Sequence, residues 1–199
     1  MKPTLLAIVF VVAALSSCRK DAEPDVAEPV EAPLVTCEDV LVVEHSPPWT
    51  MQRIYNVNGV TEDSIDVDQD GTADLRFTIR IETSASGGYH DRDLFVEGLD
   101  STYLTSITVC LQNRDSLTVV SPSDPWSMSW GELGYVWVGF TSCWPFSEGG
   151  NVAFKKRVNG HDHMGYFSVR THLSIPVQYI EMRKVVFALC PDMDLRIAH

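Results

Sequence analysis

The chain concentrates acidic oxygens in one short segment, IDVDQDGTADL, at residues 65–75. Its aspartates alternate and are followed by a glycine, at positions Asp66, Asp68, Asp70 and Gly71. In a curling loop alternate side chains point inward, so the three carboxylates converge on one point. Carboxylates about 5 Å apart repel each other by roughly 3 kcal/mol per pair at an effective dielectric near 20. The spacing therefore predicts a bound cation that removes this repulsion.

Calcium is the predicted ion, because D-x-D-x-D-G is the pattern of calcium loops, with a glycine that permits the sharp turn. The predicted ligands are Asp66, Asp68, Asp70, Thr72 and Asp74. The twelfth position of the loop is Phe77 rather than a bidentate glutamate, and a strand pattern surrounds it. The loop resembles the calcium loops of dockerins and thrombospondin type-3 repeats, and we expect a structural role. The alternative is an aspartate-rich turn without metal.

The segment that follows the acidic loop, LRFTIRIE at 75–82, alternates apolar and polar residues with the period of a half-buried strand. Similar runs recur along the chain, separated by turn signals such as Asn58-Gly59 and Asn159-Gly160. About nine short strands without a convincing helical period predict one all-β domain. We expect a jelly-roll-like antiparallel β-sandwich, with a partly open barrel as the alternative.

The N-terminal end of the chain has the composition of an export signal. Lys2 precedes an apolar run at 5–15. That run is too short to span a bilayer, which needs about 20 apolar residues. Small residues follow it, and the whole arrangement is typical of a secretory signal. We therefore expect residues 1–17 to be a signal peptide that is removed on export.

The sequence LSSC at 15–18 resembles the lipobox of bacterial lipoproteins. This resemblance implies that Cys18 carries a diacylglycerol and becomes the new N-terminus. The next residues, RKDAE, resemble the export signal of surface lipoproteins in Bacteroidota-type bacteria. Together the two resemblances imply an exported lipoprotein anchored in the outer membrane, on its periplasmic or surface face.

Prolines and acidic residues dominate the segment after Cys18, up to residue 36. This composition favours an extended, solvated spacer. We therefore expect 18–36 to be a lipidated tether and 37–199 to be the folded domain. The formal net charge of −12 argues against nucleic acid as a partner, since phosphates require basic patches.

The chain contains five cysteines, one of which the lipobox assigns to the lipid. The other four cysteines are an even number, which predicts two disulfides in an exported protein, with three possible connectivities. We favour Cys37 with Cys190, which joins the two ends of the domain, and Cys110 with Cys143. The alternative is four free buried thiols.

Tryptophans cluster in the third quarter of the chain, and WSMSW places Trp126 and Trp130 on one face of a strand. Exposed aromatic rings stack on sugars, so Trp126, Trp130 and Trp137 are candidates for a ligand platform. Core packing is the alternative, because large aromatic side chains are mostly buried. A polysaccharide or another envelope protein is the expected partner.

The segment NGHDHMG at 159–165 places His161 and His163 on one face of a strand, at a spacing that can chelate zinc. No third ligand can be named, and a polar hairpin is the favoured interpretation. The chain resembles uncharacterised secreted proteins of these bacteria in two features. One is an acidic DxDGxxD loop before a strand, and the other is an NG with a nearby H-x-G before an aromatic strand. That resemblance rests here on His163, Gly165 and Tyr166, and it implies a β-rich fold without an established activity.

The chain has none of the motifs G-x-S-x-G, H-E-x-x-H or a phosphate-binding glycine loop. We expect a lipid-anchored, calcium-stabilised surface binding or envelope module, with glycans as one ligand class. One alternative is a secreted hydrolase acting on glycans through carboxylates that the sequence does not identify. The other is a purely structural envelope lipoprotein.

Overall fold

The computed structural model describes the chain from Val35 to Ala198, with short gaps. The described ranges contain strands, turns and bends but no helix. They are 35–54, 57–83, 90–107, 110–128, 130–137, 140–142, 146–173 and 177–198.

Strands account for most of the described chain, and alternating apolar residues explain the longer ones. Their bounds are β1 Val40–Ile54, β2 Gly59–Ile65, β3 Leu75–Thr83, β4 His90–Gly98, β5 Thr102–Ile107, β6 Cys110–Leu111, β7 Val119–Val120, β8 Trp126–Met128, β9 Trp130–Trp137, β10 Phe140–Ser142, β11 Gly150–Val158, β12 His161–His172, β13 Val177–Ala188 and β14 Leu195–Arg196.

Hydrogen bonds connect the strands in the order β1-β13-β12-β11-β5-β6-β9-β4-β3-β2. Neighbours are antiparallel except β6 and β9, while β8 pairs with β5, β10 with β9 and β14 with β7. The sheets pack in a sandwich-like arrangement and are not closed into a barrel. The predicted antiparallel β-sandwich is therefore confirmed.

The core lies between the two halves of this strand order. Phe77 on β3 packs edge-on against Phe167 on β12, with ring centroids 5.5 Å apart, and Phe154 on β11 stacks on Phe167. All three rings are fully buried. Burying such a side chain contributes about 1.5–3 kcal/mol, so these contacts hold the two layers together.

The first and last strands of the order, β1 and β2, approach each other through side chains. The Trp49 indole donates to Asp63 at 3.1 Å, and the Arg53 guanidinium donates to the Thr61 hydroxyl at 2.9 Å. These bonds bring the edge of one layer next to the edge of the other.

The turn between β11 and β12 is the tight hairpin predicted from Asn159-Gly160. Both residues have positive φ, 51° and 87°, and Val158 pairs with His161. A turn of this kind suits the right-handed twist of the flanking strands. The hairpin fixes which residues of β11 face inward, and Lys156 is among them.

A disulfide joins Cys37, just before β1, to Cys190, just after β13, with an S–S distance of 2.06 Å. This predicted pair is confirmed. Cys110 is also disulfide-bonded. Cys143 lies outside the described residues, so the pairing of Cys110 with Cys143 stays a prediction.

Candidate functional site

The acidic segment forms the connection between β2 and β3. Ile65, the last residue of β2, pairs with Leu75, the first residue of β3. The Asp74 amide donates to the Ile65 carbonyl at 2.8 Å, which closes the base of the loop. The loop 66–74 is therefore held at both ends by the sheet.

The loop's own backbone amides bind its carboxylates. Asp66 accepts bonds from the amides of Gln69 and Gly71, both at 2.7 Å. Asp74 accepts the Val67 amide at 2.8 Å. These bonds curl the chain, and Gly71 has the positive φ of 91° that the sequence predicts for the turn.

The curl brings three of the predicted ligands together. One carboxylate oxygen each from Asp66, Asp68 and Asp74 lies within 4.8 Å of the other two. Asp70 lies at the exposed rim, where its carboxylate accepts the Thr72 amide at 2.7 Å. This bond, with help from a nearby ammonium, lowers the pKa of Asp70 despite some desolvation.

Sequence reasoning missed a fifth charged member of this cluster, Lys156 on β11. Its Nζ lies 2.6 Å from Asp68 Oδ2, 2.6 Å from Asp74 Oδ1 and 3.5 Å from Asp70 Oδ2. The Lys156 side chain is 2% exposed and that of Asp74 is 0% exposed. Asp74 Oδ1 has no hydrogen bond of good geometry, so its contact with Lys156 is chiefly electrostatic.

Lys156 reaches the loop because of strand alternation. Val152 and Phe154 of β11 point into the core between the layers, and Lys156 is the next residue on that face. Burial by itself lowers the pKa of the ammonium, but the hydrogen bond to Asp68 and the negative charges of Asp68 and Asp74 outweigh it and raise the pKa. Lys156 is therefore charged at neutral pH.

Burial raises the pKa of Asp74, while Lys156 and the Val67 amide oppose that change. Four aspartates against one lysine leave the cluster with a formal charge of −3. The hard oxygen donors match calcium. Because the ammonium contacts Asp68 and Asp74, a metal ion that uses those two oxygens requires Lys156 to move aside.

Trp126 and Trp130 lie on two different strands, β8 and β9, and not on one strand as the WSMSW pattern predicts. Trp126 is half-buried on β8 and donates its indole N–H to the Ser121 carbonyl at 3.0 Å. Trp130 begins β9, opposite Glu97, and is 41% exposed. The Trp137 side chain lies outside the described residues, so the ligand platform stays a prediction.

The residues of the HDH segment have separate partners. His161 Nδ1 lies 2.7 Å from Asp192, and His163 stacks on Phe187 at 5.5 Å. Asp162 binds Lys155 and Arg157, at 2.9 Å each. Within the described ranges, the one group of three metal-competent side chains is that of the acidic loop. The polar-hairpin interpretation fits this arrangement.

One neighbouring pair of carboxyl groups has raised pKa values. Burial raises the pKa of Asp93 on β4 and that of Glu132 on β9, and the Asp93 charge adds to the shift of Glu132. Asp93 accepts a bond from Arg80 Nε at 2.6 Å, an ion pair within the sheet.

Residues 1–34 lie outside the described residues, so the signal peptide, the lipobox and the lipid on Cys18 stay predictions. None of the described ranges contains a helix able to cross a membrane. Comparison of the chain with protein-family models, with curated proteins and with solved structures finds no match.

Proposed function

We propose that this chain is a lipid-anchored module of the bacterial envelope whose β-sandwich is stabilised by calcium at the loop 66–74. The supporting observation is the convergence of Asp66, Asp68 and Asp74 within 4.8 Å. These carboxylates, with Asp70 and the Thr72 carbonyl, are the groups that would hold the ion. When bound, calcium supplies two positive charges to a cluster whose formal charge is −3.

A structural role for the ion follows from the position of the loop. The loop ends in β3, whose Leu75 and Phe77 are fully buried, so its conformation is coupled to the core. A ligand that binds only the folded state stabilises it, by about 2.7 kcal/mol at one hundred times its dissociation constant. Calcium would therefore raise the stability of the whole sandwich.

Calorimetry of the mature chain tests the metal site. Calcium titrated into the chelated protein is expected to release or absorb heat and to raise the melting temperature. The double variant Asp66→Asn/Asp68→Asn should lose both responses, while Asp100→Asn, a matched change at an exposed aspartate, should keep them. A wild-type chain without heat and without a melting shift contradicts the calcium site.

The lipid anchor is proposed from the lipobox at 15–18 and the acidic tether. Mass spectrometry of the N-terminal peptide from cell envelopes should show Cys18 as the first residue, carrying acyl chains. The variant Cys18→Ala should leave the signal uncut and the peptide unmodified. A wild-type peptide that begins elsewhere contradicts the anchor.

The anchored module is proposed to bind a polysaccharide or an envelope protein. The raised pKa values of Asp93 and Glu132 are the observation that favours a hydrolase as second candidate. Any glycan retained by the wild-type protein distinguishes the two functions. A binder leaves the glycan intact. A hydrolase cleaves it and loses turnover in Glu132→Gln.

A further inference from the structure

The outer face of the sheet contains a cavity of about 430 Å³ that is separate from the acidic loop. The outer face is the side of β11, β12 and β13 opposite the core rings of Phe154 and Phe167. The segment 113–116 and Ala198 form its walls. Its volume lies in the range of small-ligand sites.

Basic side chains dominate the charge of this cavity, although the chain as a whole carries −12. Two acidic residues, Asp115 and Glu148, also line it. The four basic residues are Arg114, Arg170, Arg183 and Lys184. An excess of positive charge in one concave site attracts anions, because low-dielectric walls focus its field.

A β-bulge explains why two of these cations lie together. Lys184 pairs with Ser168 but Met182 pairs with Val169, so Arg183 is an extra residue in β13. Strict alternation from Met182 would turn Lys184 into the core. The extra residue instead puts Val185 into the core and leaves both cations on the outer face. Bulges commonly re-aim side chains next to functional sites.

The basic groups are only weakly neutralised by described residues. Lys184 has no described carboxylate within 4.0 Å and lies over the Tyr166 ring at 5.8 Å. Arg170 donates Nε to the Ser147 carbonyl, and Arg183 binds Glu181 while its side chain stays 64% exposed. Lys184 and the exposed part of the Arg183 guanidinium are therefore available to a ligand.

Arg114 provides a separate observation. Its side chain is 15% exposed, yet its buried Nε has no hydrogen-bond partner among the described residues. Its contact with Asp124 is long, at 3.5 Å. A buried donor without a partner is unfavourable, and an anion in the cavity is a suitable acceptor for it.

Neutral polar groups of the cavity are already fixed in place. Asn151 donates Nδ2 to the Arg114 carbonyl at 3.2 Å and accepts the Ser168 hydroxyl at 2.7 Å. Asn113 packs directly on Gly150, where a Cβ would collide with its amide. Amides and hydroxyls held in this way suit the hydroxyl groups of a sugar.

We propose that this cavity binds a carboxylate-bearing sugar, a hexuronic acid unit of an acidic polysaccharide. Guanidinium groups pair with carboxylates through two parallel hydrogen bonds, and the amide network receives the ring hydroxyls. The proposal rests on the binding role proposed above and names its ligand class. It uses neither calcium nor the lipid anchor.

Isothermal titration of the mature chain with digalacturonate tests the proposal, with galactobiose as the neutral counterpart and inorganic phosphate as the simple anion. Binding of digalacturonate alone is expected. The variant Arg183→Gln/Lys184→Gln should bind it at least tenfold more weakly. The control Arg76→Gln/Arg157→Gln, which changes the net charge equally at exposed sites, should bind within twofold of the wild type.

Three outcomes overturn the proposal: no heat with digalacturonate, equal binding of galactobiose or phosphate, or equal weakening in both double variants. Arg170→Gln, at an exposed position, supplies a second test if the bulge variant unfolds. The calcium response of Arg183→Gln/Lys184→Gln should match that of the wild type. Loss of sugar binding is thereby distinguished from loss of calcium binding. Titration with free galacturonate shows whether one sugar unit is enough or an oligosaccharide is required.

Discussion

The acidic loop and the basic cavity differ in how far their charged side chains are buried and paired. The acidic loop directs its carboxylates at one another and at the buried ammonium of Lys156. The basic cavity on the outer face holds Arg183 and Lys184 toward solvent, without comparable partners. The charges that lie at the centre of the acidic loop are buried and paired, whereas Arg183 in the basic cavity is largely exposed.

The difference shows how to separate charges that hold a fold together from charges available to a ligand. A buried charge is tolerated only when paired, so removing one partner leaves the other uncompensated. An exposed charge is solvated and contributes little to stability. Four changes test this comparison, in order of decreasing expected effect on the free energy of unfolding.

The largest effect is expected for Lys156→Met, which leaves Asp68 and Asp74 without their ammonium. Breaking a buried pair in this way costs about 3–5 kcal/mol. Urea unfolding in a chelator should show this loss, and millimolar calcium should restore part of it. Lys155→Met, on the opposite face of the same strand, is the comparison: it removes the ammonium from Asp162, but that carboxylate keeps Arg157, so the loss should be smaller. Equal losses in the two variants would break the comparison.

Asp74→Asn should destabilise by about 2 kcal/mol, because it removes a charged partner from a fully buried site. Asp70→Asn makes the same chemical change at the exposed rim and should destabilise the fold clearly less than Asp74→Asn, because solvent screens the charge. Chemical denaturation of the two variants measures the difference. If the two variants lose the same stability, the burial of an aspartate within the loop does not determine its contribution to the free energy of unfolding.

Asp162 is an intermediate case, since its pKa is lowered by Arg157 and Lys155 in spite of desolvation. A carboxyl with a lowered folded-state pKa stabilises the fold above its unfolded pKa near 3.8 and loses that contribution as the pH falls through the folded value. Asp162→Asn should cost less than about 1 kcal/mol at pH 7 and progressively less as the pH falls below 3.8. Urea unfolding at pH 7 and at pH 2 measures whether the stabilities of the variant and the wild type become more alike in acid. An equal difference in the free energy of unfolding at both pH values argues against a contribution from the ion pairs.

The smallest effect is expected in the basic cavity. Arg183→Gln/Lys184→Gln should change the free energy of unfolding by less than about 0.5 kcal/mol, since neither charge has a buried partner. Thermal and urea unfolding measure it directly. A loss of stability as large as that of Lys156→Met would mean that these two cations stabilise the fold and are not available for a ligand.

Much of the fold was predictable because it depends on local patterns. The alternation in β3 correctly predicts that Leu75, Phe77, Ile79 and Ile81 are buried. The Asn159-Gly160 turn forms the expected hairpin, and Cys37 does pair with Cys190. In each case the signal lies in neighbouring residues or in a small number of possible pairings.

The site was predictable only in part. The spacing of the aspartates anticipates the convergence of Asp66, Asp68 and Asp74, because loop geometry is local. Lys156 was missed, although alternation with Val152 and Phe154 was a usable signal for its inward direction. The bulge at Arg183 was missed as well, because two consecutive cations in a strand pattern do not indicate which residue is extra.

By itself the sequence determined the strand period, the curl of the acidic loop and the pair of cysteines that closes the domain, since these follow from short-range sterics and simple pairing. Tertiary structure alone decided which cation meets the loop, because Lys156 is 88 positions from Asp68 and meets it only when the layers pack. It also decided that the outer-face cations share one cavity, because the register of β13 depends on its neighbouring strands.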